Sequence, residues 1–479
     1  MQETHGAIVI GAGATGLACA HTLHHSGVKV LCLDSARNPG GVMSTYQEGG
    51  FLFEQGPNTI PASAATFRRL TQEAGLLDRL IPSGSAASLR LVYRNGHLHP
   101  LPNSPMGFVR SKLLSTRGKL RLLTEPLRPM TRVSHLDTEP SLEEFLIDRL
   151  GNEAATVLGS AFVRGVYAAD LSELGARSAF PRVFNMANDA GGLLRAMLRA
   201  RRVAKSQSNE LPPGPDFSQD SLLSFPTGLR ELPLALARGL GKHMQLGRCV
   251  TEIERGPEGW LVTVEDGATF RTETIVLATG PRDAHGLLAM TTPERTDVRP
   301  LLDLPTANIS VVHLGLSRAS LPPAFGFLVP ANAEPRESAP RLLGALFPSN
   351  IFAGRAPAGG AVISAIYHSH SLAGLDTKGA VELTLEDLKR GLGYSPGDLK
   401  AARIHHWTGV IPRYGVDHDR MIAKLHGTVR RALPKLIMAG TWTGGVSVED
   451  RLNTGVEAAG EVHAMVDGVN RARLKEADA

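Results

Sequence analysis

The chain has 479 residues, of which 42% are hydrophobic and 20% charged, and its formal net charge is +5. This length exceeds one ordinary hydrophobic core and predicts two or three domains. Cys19, Cys32 and Cys249 are too widely spaced for a disulfide framework, which favours a reducing compartment. Neither a Cys-x-x-Cys nor a His-Glu-x-x-His motif occurs, so no metal site is expected, and no run reaches the roughly 18 apolar residues of a membrane span.

The N-terminal segment has the order strand, glycine-rich turn, helix, strand. Residues 7–10 are apolar, a helical stretch follows from about Thr15 to His25, and Val28 to Asp34 is a second apolar run. This order opens a doubly wound parallel sheet. The glycines between strand and helix permit the turn, the approach of a pyrophosphate and close helix packing, and Asp34 can accept from a ribose hydroxyl. A purely structural turn is the alternative. The predicted dinucleotide site comprises Gly11, Gly13, Ala14, Thr15, Gly16, Asp34 and Ser35.

An Arg-x-x-Gly-Gly element directly follows, formed by Arg37, Gly40 and Gly41 and continued by Val42. It brings a guanidinium and a second closely approaching backbone towards the diphosphate. This element is typical of FAD proteins and favours FAD over NAD. An ordinary Pro-Gly turn with a surface arginine is the alternative.

The remaining pattern predicts a discontinuous first domain. From about Pro140 to Lys205 the apolar spacing is helical, and strand-like runs return at 248–254, 260–265 and 274–279. Residues 306–316 and 361–367 predict strands of a second domain. A strand at Lys435 to Gly440 and a helix at Gly455 to Val469 complete the first domain. The fold class is therefore α/β.

Two segments concentrate the positive charge. Seven cations and one acid lie between Ser104 and His135, and five cations without an acid lie between Leu193 and Lys205. Leucine, methionine and phenylalanine lie between the cations of the segment from Ser104 to His135. This mix predicts a helical surface lying on an anionic membrane, and the alternative is a solvated basic face over a core. No nucleic-acid motif or aromatic platform accompanies the charge, so nucleic acid is not an expected partner.

Four further motifs carry a resemblance to a known family. They are Phe-Glu-Gln-Gly-Pro-Asn at 53–58, Arg-Gly-Val-Tyr-Ala-Ala-Asp at 164–170, Phe-Pro-Thr-Gly-Leu at 225–229 and Ala-Gly-Thr-Trp-Thr-Gly-Gly-Val-Ser-Val at 439–448. In this order they resemble the oxygen-dependent protoporphyrinogen oxidase family, within the amine-oxidase-like flavoproteins. The resemblance runs from about residue 7 to residue 466.

The resemblance implies a Rossmann-like FAD-binding domain at 1–85, 221–300 and 432–470. It also implies a helical membrane-binding domain at 86–205 and a β-sheet substrate domain at 301–431. Non-covalent FAD would take hydride at N5 from a meso carbon of protoporphyrinogen IX, in haem biosynthesis, and O₂ would reoxidise it to give H₂O₂. No side chain is expected to act as a catalytic acid or base. A cytoplasmic homodimer on the inner face of the cell membrane, handing its product to ferrochelatase, completes the implied picture.

The same resemblance implies the site residues. For FAD it adds residues from four separate segments: Gly56, Pro57, Asn58, Val250, Trp407, Gly440, Val446, Ser447 and Val448. Val250 could equally be a plain sheet residue. For substrate it implies Arg90 as a carboxylate partner, with an exposed strand arginine as the alternative. Arg164 departs from the family pattern and is either a second carboxylate partner or a surface charge. Gly165 and Ala168 would border the substrate. Leu328 and Leu346 would sandwich a pyrrole and Tyr367 would stack on the macrocycle, or all three are core residues.

Three alternative functions remain open from the sequence. Coproporphyrinogen III oxidation would use more cations, because that substrate has four propionates instead of two, and Arg164 keeps this alternative open. A flavin desaturase or amine oxidase is more distant, since an amine oxidase needs an aromatic cage and the chain has only six tyrosines and three tryptophans. A non-catalytic FAD- or porphyrin-binding protein would keep the glycine fingerprint without turnover.

Overall fold

The computed structural model describes residues 4–128, 138–206, 217, 221–257, 259–291, 296–333 and 339–477. The helices are α1 (Ala14–His25), α2 (Ala65–Glu73), α3 (Pro105–Arg110), α4 (Thr116–Leu123), α5 (Leu142–Leu150), α6 (Asn152–Ala154), α7 (Ser160–Tyr167), α8 (Ala176–Ala179), α9 (Pro181–Ala190), α10 (Leu193–Ser206), α11 (Glu231–Leu240), α12 (Pro281–Thr291), α13 (Pro348–Ile351), α14 (Thr377–Leu392), α15 (His418–Ala432) and α16 (Val448–Ala477).

The strands are β1 (Thr4–Ile10), β2 (Val30–Asp34), β3 (Thr45–Glu48), β4 (Phe51–Glu54), β5 (Ile60–Pro61), β6 (Ile81–Pro82), β7 (Arg90–Arg94), β8 (His97–Pro100), β9 (Leu222–Ser224), β10 (Met244–Leu246), β11 (Val250–Gly256), β12 (Gly259–Val264), β13 (Thr269–Leu277), β14 (Thr306–Ser317), β15 (Gly326–Leu328), β16 (Gly344–Leu346), β17 (Ala361–His368), β18 (Asp398–Pro412) and β19 (Leu436–Met438).

The first sheet has the order β10-β2-β1-β13-β12-β11, and β19 pairs with β13. Strand β1 lies at its centre, parallel to β2 and β13, with Ile8 opposite Leu31 and Ile275. Both faces of β1 are buried: Val9 packs towards α1 and α16, and Ile8 packs towards α12 and α15. A continuous apolar run suits a parallel strand covered on both faces. The predicted mixed α/β fold is confirmed, and this sheet draws on residues 4–34, 244–277 and 436–438.

The second sheet has the order β18-β14-β17-β16-β15-β7-β8. Strand β14 pairs antiparallel with both β17 and β18, and β7 pairs parallel with β15. The structure differs here from the boundary at residue 86, since residues 90–100 form two strands of this sheet and not part of the helical segment. The reason is burial: Leu91 and Tyr93 pack into the core of the second sheet. The helical segment begins beyond Pro100.

Helices α3 to α10 form a layer beside the second sheet. A buried ion pair links this layer internally, with Arg149 Nη2 2.7 Å from Glu125 Oε1. The same carboxylate accepts from the backbone N–H of Leu193 and so holds the start of α10. Residues 129–137, including Arg132 of the first basic segment, lie outside the described residues, as do the side chains of 200–206. Among the described helices, none has the length and apolar character that crossing a membrane requires.

Candidate cofactor and substrate site

The glycine turn between β1 and α1 has the geometry that the fingerprint requires. Gly11 has φ +107, and a Cβ at Gly16 would overlap the carbonyl oxygen of Gly11. Both positions therefore need glycine for the chain to turn and pack. A Cβ at Gly13 would meet nothing within 4 Å, so the structure around Gly13 does not itself demand glycine. Open space at the N-terminus of a helix suits an anionic group such as a diphosphate.

A cavity of about 630 Å³ lies beside this turn. Its wall includes Gly11, Gly13, Asp34, Ser35 and Val250, five of the residues predicted for the dinucleotide. The Asp34 carboxylate accepts from the backbone N–H groups of Ala12 and Ala36, which fixes its orientation at the end of β2.

Polar groups of the site still lack partners. The Thr279 hydroxyl lines the first cavity, and the Asn58 side-chain oxygen lies in the wall of a second cavity; within the described chain neither buried atom has a hydrogen-bond partner. Buried polar atoms of this kind call for a ligand or water. These residues therefore fit a nucleotide cofactor that offers hydroxyl, phosphate and ring-edge groups.

The Gly40-Gly41 element packs directly on the glycine turn. The Gly40 N–H donates to the Ala12 carbonyl at 2.8 Å, and a Cβ at Gly41 would lie 3.4 Å from the Cα of Gly13. Val42, the next residue, belongs to the wall of the second cavity. The Gly13–Gly41 contact thus lies between Gly13 in the wall of the first cavity and Val42 in the wall of the second. Arg37 is exposed and lies outside the lining of both.

The second cavity has a volume of about 470 Å³ and a mostly apolar wall. The β14–β17 region of the second sheet, the end of α7 and the loop before α16 all contribute. Eight residues predicted for FAD line it: Val42, Gly56, Pro57, Asn58, Trp407, Val446, Ser447 and Val448. Five residues predicted for substrate line the same cavity: Arg164, Gly165, Ala168, Leu328 and Leu346. A flat ring system and an apolar substrate would therefore share one cavity.

Hydrogen bonds fix the wall that follows β4. The indole N–H of Trp407 donates to the Gln55 carbonyl at 2.8 Å. Glu54, one residue earlier, is buried and accepts from the Thr45 hydroxyl at 2.7 Å and the Leu229 N–H at 2.8 Å. Burial raises the pKa of Glu54 to about 7, although these bonds favour the ionised form. The Phe-Glu-Gln-Gly-Pro-Asn and Phe-Pro-Thr-Gly-Leu motifs thus meet through one carboxyl group.

One end of the second cavity is cationic. Arg164 pairs with Asp170 at 3.2 Å, and its buried Nε has no hydrogen-bond partner in the described part of the chain. Burial lowers the pKa of His368 to about 4, and the nearby positive charge of Arg164 adds to this shift. His368 stacks on His370 with ring centroids 5.2 Å apart. A carboxylate bound here would meet a guanidinium.

Residues 14–463 match the family described as flavin containing amine oxidoreductase. The chain belongs to this family. It is an FAD-dependent oxidoreductase, as the glycine fingerprint and the Arg-x-x-Gly-Gly element predict, and the predicted FAD cofactor is confirmed.

Two curated relatives of this flavin containing amine oxidoreductase cover nearly its whole length. A mitochondrial protoporphyrinogen oxidase of Nicotiana tabacum is 25% identical, over 96% of this chain and 95% of its own. A coproporphyrinogen III oxidase of Bacillus subtilis is 23% identical, over 95% of this chain and 97% of its own. These relatives confirm the resemblance that the four motifs indicate. The solved structure of a protein from Exiguobacterium sp. 255-15 shares the fold, with a TM-score of 0.79 at 20% identity, covering 97% of this chain and 99% of that one.

The position of Tyr367 in this flavoprotein differs from the sequence prediction. Its side chain is fully buried in the core on the far side of the second sheet, and its hydroxyl donates to Asp387 at 3.2 Å. The prediction that Tyr367 stacks on the substrate is therefore wrong. Successive side chains of a strand point to opposite faces, so the preceding residue, Ile366, lines the cavity instead.

Two other predicted residues lie at the edge of the site. Arg90 is exposed and outside the cavity lining, with its guanidinium carbon 5.0 Å from the ring centroid of Phe325, a lining residue. Its role towards substrate stays a prediction. Gly440 also lies outside the lining; a Cβ there would meet the Trp442 ring and the Thr279 carbonyl, so it serves packing between β13 and β19.

The structure adds site residues that sequence reasoning missed. Thr279 and Gly280 line the first cavity at the carboxyl end of β13, a position that the strand-like run at 274–279 could have indicated. Ser364 and Ile366 line the second cavity, and strand alternation fixes them only once the buried face is known. Arg451 also lines the second cavity. It lies just after the 439–448 motif, so no motif indicated it.

Proposed function

We propose that this flavoprotein oxidises protoporphyrinogen IX to protoporphyrin IX. The observation that carries the proposal is the apolar cavity of about 470 Å³, lined by both the predicted flavin segment and the predicted substrate segments. The name and near-complete coverage of the Nicotiana tabacum relative support the same substrate. A large apolar macrocycle fits a wall of Leu, Ile, Val and Phe side chains.

Bound FAD would supply the hydride acceptor, which is the hard chemistry. Over three rounds the substrate would lose three hydrides, one from each of three meso CH₂ groups, and three protons to water, two from pyrrole N–H groups and one from the fourth meso CH₂. Each round returns one O₂ as H₂O₂, so six electrons leave the substrate in total. The residues of this chain bind and orient: Leu328 and Leu346 hold the ring and Arg164 pairs with a propionate. Positioning of one meso carbon is then the main contribution of the protein.

The cationic end of the cavity favours one second candidate, the oxidation of coproporphyrinogen III. Arg164 lies there, and Arg413, paired with Glu173, is close enough to lower the pKa of His368 as Arg164 does. A substrate with four propionates would use more of these groups than one with two. The Bacillus subtilis relative is named for this reaction.

One experiment separates the candidates. The FAD-loaded protein is mixed anaerobically with protoporphyrinogen IX, and in parallel with coproporphyrinogen III, and the flavin absorbance is followed before and after air is admitted. We expect bleaching by protoporphyrinogen IX and recovery in air with formation of protoporphyrin IX. Faster bleaching by coproporphyrinogen III would establish the second candidate. No bleaching by either substrate would contradict both and favour a non-catalytic binding protein.

We also propose that the helical layer rests on an anionic membrane surface. Its helices expose large apolar side chains among cations: Met106, Val109, Leu120, Leu123, Leu127, Phe162, Val166, Val183, Met186, Met197 and Leu198. An apolar surface of this size rimmed by arginine and lysine suits peripheral binding to acidic lipids. This supports a location at the inner face of the cell membrane, with product release towards the bilayer.

Vesicle sedimentation tests the membrane proposal. Arg110, Arg117 and Arg128 are exposed and suitable for change to glutamate, whereas Arg121 donates to the Arg149 carbonyl at 3.0 Å and holds the end of α5. We expect the triple variant to lose binding to anionic vesicles. Reversal of Lys378 and Lys389 on α14 and Lys400 on β18, which are exposed and lie outside the helical layer, provides the control. Equal losses in both variants would contradict a specific surface.

A further inference from the structure

Arg451 is a buried cation in the wall of the second cavity. It lies in the first turn of α16, three residues after Val448, and only 8% of its surface is exposed. Its Nε has no hydrogen-bond partner, and its guanidinium has no ion pair, among the residues that the structure describes. A buried charge without a partner is costly and is retained where a negative group meets it.

The carboxylates next to Arg451 are already engaged elsewhere. Glu449 accepts from the backbone N–H groups of Thr66 and Phe67 at 2.8 and 2.9 Å and so caps α2. Asp450 accepts from the Ser447 hydroxyl at 2.6 Å at the start of α16. Burial lowers the pKa of the Arg451 guanidinium, and the nearby Tyr414 and Asp450 oppose this shift only in part. Because no carboxylate of the described residues pairs with Arg451 directly, a negative group of a ligand in the cavity would supply the partner.

The face of α16 that carries Arg451 is the face that packs on the first turns of α1. Gly455 follows four residues later, and residues four apart lie on one side of a helix. A Cβ at Gly455 would overlap the carbonyl oxygen of Thr15 in α1. Arg451 therefore lies on the cofactor side of α16. It also lines the cavity of Trp407 and Val448 and not the cavity beside Asp34, which places it at the ring half of the site.

We propose that Arg451 supplies positive charge to the pyrimidine edge of the flavin ring and makes reduction of the bound FAD more favourable. Reduction adds negative charge to that edge, and a fixed cation in a low-dielectric wall stabilises it. The positive end of the α16 dipole acts in the same direction. The proposal rests on FAD as cofactor and is independent of which substrate is oxidised.

The test is the two-electron reduction potential of FAD bound to the full chain. It is measured anaerobically against a reference dye for the wild type, Arg451→Gln, Arg451→Lys and the exposed control Arg431→Gln. For Arg451→Gln we expect the ratio of oxidised to reduced flavin at a given potential to rise about tenfold, or about 30 mV towards negative potential. Arg451→Lys should keep most of the wild-type potential, and Arg431→Gln should keep all of it.

Other results would overturn the proposal. An unchanged potential with weaker FAD binding would assign Arg451 to the diphosphate. An unchanged potential and FAD affinity with a higher KM would assign it to a substrate carboxylate. Melting of the apoprotein checks folding, and we expect Arg451→Gln to melt no lower than wild type because the charge has no protein partner.

If Arg451→Gln fails to fold, Arg451→His gives a second route, because an imidazole loses its charge as pH rises. The flavin potential of Arg451→His, compared with that of the wild type at the same pH, should therefore become more negative as the pH rises from acid to alkaline. A constant difference across that range would overturn the proposal.

Discussion

The two cavities of this flavoprotein are built in different ways. The cavity beside Asp34 is lined by three short segments, within residues 10–35, 248–251 and 278–290, and the first of them carries the whole glycine turn. The apolar cavity collects single residues from segments as distant as Val42, Ile309 and Arg451. A site that contains one complete local motif can be recognised from the spacing of that motif. A site made by pairing distant strands depends on which face of each strand is buried.

The largest expected effect is a loss of FAD affinity from a substitution in the cavity beside Asp34 alone. A Cβ at Gly13 would meet nothing within 4 Å, so Gly13→Val should fold yet fill the space of the diphosphate. We expect FAD affinity to fall on the order of 100-fold, about 3 kcal/mol, measured by titration of the apoprotein. Gly239→Val in α11, where a Cβ also meets nothing, is the matched control. Unchanged FAD affinity in Gly13→Val would remove the glycine turn from the cofactor site.

The difference between the cavities also explains what the sequence could predict. The β1-α1-β2 unit, Asp34 and the Gly40-Gly41 element follow from residue spacing, because their contacts all fall within one segment of the chain, residues 7–41. The motif at 53–58 and the loop at 446–448 follow from resemblance, and both line the second cavity. The prediction for Tyr367 is wrong by one position, because the sequence alone does not show which face of β17 packs on α14. Arg451 could not be predicted, since its lack of a partner exists only in the folded chain.

The second prediction concerns the carboxyl group that anchors the wall of the apolar cavity. The pKa of Glu54 rises from 4.5 to about 7 on folding. The folded protein therefore holds this proton more tightly than the unfolded chain, and stability falls as pH rises from 4.5 to about 7. The shift corresponds to about 3 kcal/mol.

We expect Glu54→Gln to avoid this decrease, as measured by urea unfolding at several pH values. Only the difference between the two proteins is informative, because His313, whose pKa burial lowers to about 3, gives the opposite slope in both. Parallel stability curves would show that folding leaves the pKa of Glu54 unshifted.

The third prediction tests which face of β17 borders the cavity, by substitutions at two neighbouring residues. Ile366→Trp should overfill the apolar cavity and lower kcat/KM about tenfold or more, in line with about 1–3 kcal/mol for overpacking. Tyr367→Phe should leave kcat/KM unchanged and lower stability by about 1 kcal/mol, through loss of its hydrogen bond to Asp387. FAD content should be unchanged in both. A KM effect confined to Tyr367→Phe would reverse the assignment of the two faces.

The smallest effects separate the two arginines predicted for substrate. Arg164 lines the apolar cavity with a buried, unpartnered Nε, whereas Arg90 is exposed over Phe325. We expect Arg164→Gln to raise KM about tenfold, near 1.4 kcal/mol, with little change in kcat, since it removes one charged hydrogen bond to a carboxylate. Arg90→Gln should change KM by less than about threefold, because an exposed ion pair contributes little.

Steady-state kinetics with both porphyrinogens measures these effects, with Arg431→Gln as control. A larger KM effect with coproporphyrinogen III would show that the cationic end binds its additional propionates. An equal effect with both substrates would mean that Arg164 meets a propionate common to the two. A larger effect at Arg90 than at Arg164 would place the carboxylate at the cavity mouth beside Phe325, and the apolar cavity would then bind its substrate from the opposite end.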